Sequence, residues 1–174
     1  MRESSRNDTD HQFLLRHRSR RPGQDAGRHS TARRYLAGKN ARLYPVAFPE
    51  PGSEHRDPLG PLITSEDVEE FSNNASLRNE LRVSFRRILS FYGMEVSEGR
   101  IVKAANWDER KHNWFTRDTH NNMRITRILK CLMALSLERE ARHFYKVLKN
   151  LVETESDCGI TPPSIRYWSE AVGE

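Results

Sequence analysis

Apolar positions recur at helical spacing from about residue 62 to residue 172, and they do not before residue 62. Leu77, Leu81, Phe85, Ile88, Leu89 and Tyr92 form one stripe. Only a repeat near 3.6 residues puts them on one side, which predicts an amphipathic helix over 76–92. Gly93 follows, where a helix end takes left-handed backbone. Ile125, Ile128, Leu129, Leu132 and Leu135 predict a helix over 121–135, and Ala141, Phe144, Leu148, Leu151 and Val152 another over 138–154. The short link between these two predicts an antiparallel helical hairpin. TSEDVEEF (64–71) reads as a helix start, with Thr64 as N-cap, Asp67 three residues on, and Val68 and Phe71 on one side. ITPPSIRYWSEAV (160–172) reads as a last helix, with Thr161 as N-cap and Pro162 at the first helical position. Ile165, Trp168 and Val172 would dock it. KAANWDERKHNWF (103–115) predicts a short helix carrying Trp107 and Trp114. Between them, Val96 and Ile101 flank SEGR (97–100), read either as a loop or as a short pairing of extended segments. No strand run of consequence appears. The expected fold class is all-α: one domain of five or six helices over 62–172, orthogonal or bundle-like.

Upstream the pattern differs. Residues 43–61 read LYPVAFPEPGSEHRDPLGP, with five prolines. Proline excludes a long helix, so this is expected to be an extended strap laid on the helices. Residues 1–42 hold ten Arg and Lys39 against four acids, a net of +7, while residues 43–174 hold 18 cations against 20 acids, a net of −2. The first segment buries too little apolar surface to offset its ordering entropy and is expected to be a disordered, Arg-rich tail. Its RHRSRRPG (16–23) has the composition of a basic nuclear-localisation patch. Any electrostatic attraction to nucleic acid is expected from residues 1–42. Two cysteines, Cys131 and Cys158, make no disulfide framework. No apolar run approaches the roughly 20 residues that span a bilayer, and no secretory signal precedes the domain. These features predict an intracellular protein, cytoplasmic and/or nuclear; peripheral membrane association stays open.

The chemistry-bearing motifs are few. There is no Gly-rich phosphate loop, no G-x-S-x-G elbow, no H-E-x-x-H helix and no CxxC. His112, His120 and Cys131 lack a metal-ligand spacing. Neighbouring acids such as Glu69 and Glu70 point to different sides of a helix. No catalytic, cofactor or metal residue is predicted, and the chain is expected not to be an enzyme. HNNMRITRILK (120–130) is the unusual stretch. At about 100° per residue, His120, Arg124, Arg127 and Cys131 share a stripe beside the Ile125/Ile128/Leu129/Leu132 face. Two readings stand. The arginines staple helix ends and neighbouring acids together, or they form a recognition face. Arg forks hold carboxylates in a bidentate manner, so they suit a peptide ligand.

That stretch, with LSFYGMEV (89–96) before it and GITPPSIRYWSEAV (159–172) after it, resembles the conserved region of the opioid growth factor receptor family. The family's region has an F-Y-G segment ending one helix, here Phe91-Tyr92-Gly93. It also has an H-N-x-x-R-I-T-R-I-L-x-x-L segment opening another, here His120 to Leu132. The resemblance covers about residues 59–172. YPVAFPEPG (44–52) is similar to an upstream segment of the family, but the aromatic-Ile-Gln-Trp run that leads into that segment is missing. The resemblance implies a helical domain. It also implies a nuclear or perinuclear receptor for an opioid peptide, unrelated to seven-helix receptors. The expected function is therefore a non-enzymatic binding domain for a short peptide or a protein. Its candidate ligand-binding residues are His120, Asn121, Asn122, Arg124 and Arg127, with Trp107, Trp114 and Tyr92 against the ligand's apolar side chains. Nucleic-acid association through residues 1–42 is the alternative.

Overall fold

The computed structural model describes residues 50–51, 62–117 and 119–174. The expectations for residues 1–42, and for nearly all of 43–61, lie outside them. Two short parallel segments, β1 (Glu50–Pro51) and β2 (Leu62–Ile63), lead into α1 (Ser65–Asn73). Thr64 caps α1 as a capping box. Its hydroxyl accepts from Asp67 N, and the Asp67 carboxylate accepts from Thr64 N at 2.9 Å. Asp67 is fully buried, and Val68, expected on one side with Phe71, is 38% exposed. The capping carboxylate takes the inner position, and the next residue turns outward with Phe71 still buried.

Asn74 opens α2 (Ala75–Phe91), its side-chain oxygen accepting from Ser76 N and Leu77 N. All six residues of the predicted stripe are buried. Gly93 follows with φ +77°, and a β-carbon there would lie 2.9 Å from Arg110 Cβ and 3.0 Å from Trp107 Cα. Both handedness and room therefore require glycine. The chain then forms an antiparallel hairpin of β3 (Met94–Ser97) and β4 (Arg100–Lys103), pairing Val96 with Ile101. Glu98 and Gly99, both at positive φ, make its two-residue turn. Of the two readings left open for SEGR, the extended pairing is the one adopted. The predicted short helix is α3 (Trp107–Lys111), and it stops before Trp114. Trp114 lies instead in the turns that follow and is held by its indole N–H, which donates to Tyr92 O at 3.0 Å.

Three helices complete the domain: α4 (His120–Ala134), α5 (Glu138–Thr154) and α6 (Pro162–Val172). The link from α4 to α5 is Leu135–Leu137, closed by Leu137 N donating to Leu132 O. α4 packs on α5 and α6, and α6 packs on α5. The stripes of Ile125, Ile128, Leu129 and Leu132, and of Ala141, Phe144, Leu148 and Leu151, all face the core; Val152 sits at its edge. At the start of α6 no side-chain hydrogen bond from Thr161 caps the helix. The all-α class holds, with six helices and the small hairpin among the described residues.

Candidate functional site

α4 begins where the loop 112–117 passes over it, and the polar residues of HNNMR tie the two together. Asn121 Nδ2 donates to Asn113 O at 2.8 Å, and Asn121 Oδ1 accepts from Arg124 Nη1 at 2.9 Å. Asn122 is buried; its Nδ2 donates to Thr116 O at 3.4 Å and its Oδ1 accepts from Thr119 Oγ1 at 3.3 Å. The Asn122 carbonyl accepts from Thr126 Oγ1 and, at 3.0 Å, from Trp168 Nε1 of α6. Gly159 closes the arrangement. Its N–H donates to Phe115 O, and a β-carbon there would stand 2.9 Å from Thr116 Cα and Arg117 N.

Along the α4 stripe, His120 is exposed, Arg124 and Arg127 are half-buried, and Cys131 is fully buried. β1 lies against α4. Tyr92, Trp107 and Trp114 are 0%, 4% and 0% exposed. They form an edge-to-face cluster with Phe115, with Tyr92–Trp114 centroids 5.1 Å apart and Trp107–Trp114 centroids 5.9 Å apart. The structure places these aromatics inside the core, beneath the loop that Asn121 and Asn122 tie down, and brings none of them to a surface with His120.

Two other residues meet His120 at the surface. Met123 is 71% exposed and Tyr167, on α6, is 49% exposed. They flank a hollow of about 290 Å³ between the starts of α4 and α6, lined also by His120, Thr126 and Ser164. Sequence reasoning passed over both. Met123 is off the Ile125 stripe, and Tyr167 is off the Ile165/Trp168/Val172 stripe, so each was legible as an outward apolar residue.

Elsewhere in the loop region, Lys111 is paired with two acids. Lys111 Nζ lies 2.8 Å from Asp157 and 3.1 Å from Asp108. The hydrogen bond to Asp157 raises Lys111 above the usual lysine range, and the same bond holds the Asp157 carboxyl below the usual carboxylate range. Burial pushes the Cys131 thiol far up, and it raises the Cys158 thiol as well. Among the described residues, no three His, Cys, Asp or Glu side chains converge as a metal site. No helix among them is long and apolar enough to cross a membrane.

Residues 43–173 match the family model of the opioid growth factor receptor (OGFr) conserved region. The chain is 38% identical over 128 residues to the opioid growth factor receptor of Mus musculus, covering 71% of this chain and 18% of that protein. The Rattus norvegicus receptor is also 38% identical over 128 residues, which are 20% of its length. Opioid growth factor receptor-like protein 1 of Xenopus tropicalis is 33% identical over 106 residues, 60% of this chain and 20% of that protein. The chain thus spans about a fifth of the length of these relatives. No solved structure matches it. By a match over three quarters of its length, carried by the helices and loop just described, the chain belongs to the opioid growth factor receptor family.

Proposed function

We propose that the domain is a binding module, not an enzyme, and that it holds a short peptide or protein segment in the hollow between the starts of α4 and α6. The observation that carries this reading is the pairing of outward Met123 and Tyr167 around a polar floor. Exposed aromatic and thioether side chains beside hydrogen-bonding groups suit an apolar side chain of a ligand whose backbone is anchored by polar contacts. His120, Thr126 and Ser164 supply those contacts. Asn121, Asn122 and Arg124 act beneath the site as staples that fix the start of α4, and Arg127 continues their side of the helix. Tyr92, Trp107 and Trp114 stay in the core, beneath the loop that Asn121 and Asn122 tie down. The names of the relatives point to an opioid-type peptide as the first ligand to try.

The test is binding of fluorescein-labelled methionine-enkephalin and of an unrelated short-peptide panel, followed by anisotropy. Tyr167→Ala and Met123→Ala should weaken binding and leave the melting temperature within about 2 °C of wild type, since exposed positions contribute little to stability. Arg124→Ala should lower the melting temperature instead. Binding that ignores both surface substitutions, or no binding across the panel, would sink the reading.

A further inference from the structure

A second surface lies between α2, the β3–β4 hairpin and α5, and it shares no lining residue with the hollow at His120. It is a groove in two sections of about 320 and 530 Å³, joined at Ile101 and His143. Its floor is apolar. Ile101 is buried at its base, Val96 and Val102 of the hairpin are 38% and 37% exposed, and Val147 is half-buried.

Its walls are basic. Arg82 and Arg86 stand one turn apart on α2. Arg139, His143 and Lys146 stand at i, i+4 and i+7 on α5, one stripe of that helix. Among the described residues Glu140 is the one acid lining the groove, and it is taken by Arg82, whose Nε donates to it at 2.6 Å. Lys103 is likewise paired, with Glu155. Arg86, Arg139 and Lys146 are exposed and have no acidic partner among the described residues. Residues 43–174 carry a net charge of −2, so this is a local concentration of positive charge on a nearly neutral domain.

We infer that this groove docks an acidic, aliphatic-bearing segment of a partner protein. Carboxylates of the segment pair with Arg86, Arg139 and Lys146, while Leu- or Ile-like side chains lie on Val96, Ile101 and Val102. Charge complementarity sets the sign of the occupant. The apolar floor sets its class, because single strands are held largely by stacking on exposed rings, and the one aromatic lining the groove among the described residues, Phe85, is 4% exposed. Arg139 and Lys146 are separated by roughly 10 Å of helix rise, about three residues of an extended chain. Acids at that interval, with apolar residues between them, fit the groove.

The test uses the full chain and a short fluorescein-labelled peptide with Leu at every third position and Asp or Glu between. Two control peptides replace each Leu by Ser, or each acid by Lys, and a labelled oligothymidylate is the fourth probe. The acidic Leu peptide should bind, with an affinity that falls as salt rises. The double variant Arg86→Glu/Arg139→Glu should weaken it roughly tenfold or more, as loss of close charge pairs does. Val96→Ser should weaken it too, and the Ser-substituted peptide should bind less well. Circular dichroism should show the variants folded, since all three positions are exposed. Tyr167→Ala should leave this binding unchanged, which separates failure here from failure at the α4–α6 hollow. No binding of the acidic peptide overturns the inference. So does binding that the charge reversals do not touch, which would assign it to the Arg-rich residues 1–42. Oligothymidylate binding lost with the same reversals would make the groove a nucleic-acid contact instead.

Discussion

Gly93 precedes β3 and Gly99 closes the turn before β4, both with φ near +75°, yet they answer to different constraints. Nothing lies within 4 Å of where a Gly99 β-carbon would be, so Gly99→Ala meets only the backbone cost, about 1–2 kcal/mol. Gly93 also faces Trp107 Cα and Arg110 Cβ, and the first of these is backbone that cannot swing aside. Gly93→Ala should therefore cost at least about 1 kcal/mol more than Gly99→Ala, in the range of overpacked sites. Urea unfolding of the two variants measures the difference, and equal losses would contradict it. Gly93 was legible from its place after an apolar stripe. The inward turn of Asp67 was not, because burial of a carboxylate depends on the Thr64 donors that receive it.

Among the elements, the long helices were legible, while the hairpin was legible only as one of two readings. The stripes of α2, α4 and α5 each run for more than two turns, and burial followed them closely. The strands are four residues each, too short for alternation to declare itself, and Glu98-Gly99 stands where Asn-Gly would have signalled a two-residue turn. The stretch 103–115 reads as one short helix carrying both Trp107 and Trp114, but α3 ends at Lys111. The turns after it deliver the ring beneath Tyr92 O. Between elements, Lys111 fastens α3 to the loop after α5 through Asp157. The Asp157 carboxyl has a lowered folded pKa, so its contribution is present above the ordinary carboxylate range and is lost as pH falls through the folded value. The Lys111 ammonium is raised, so its contribution is complete below the ordinary lysine range and is lost as pH rises through the folded value. Between those limits, Asp157→Asn should lower the melting temperature by a constant amount. That gap should close on acidification, and a gap that persists into strong acid would show that the pair is not its cause.

For the molecule as a whole, α6 is what makes one unit of the parts. Trp168 lies fully within the core and reaches the Asn122 carbonyl on α4, across 46 residues of chain. Trp168→Ala should cost about 3–5 kcal/mol, as large aromatic truncations do, and should broaden or shift the whole urea transition. If only α6 melted and the rest kept its midpoint, α6 would be an appendage. The groove and the hollow belong to this scale as well, which is why the sequence hid them. Arg86, Arg139 and Val96 come from three elements, and each alone is an ordinary outward residue of its element. The candidate residues of HNNMRITR were visible as a cluster, but whether they faced a ligand or a loop depended on where residues 113–117 would cross. The chain has three tryptophans, and none is more than 4% exposed. Its intrinsic emission is therefore that of shielded indoles, blue-shifted and little touched by aqueous quenchers. Two of those rings stand 5.9 Å apart edge to face, close enough to exchange excitation. Unfolding releases all three together and shifts the spectrum to the red.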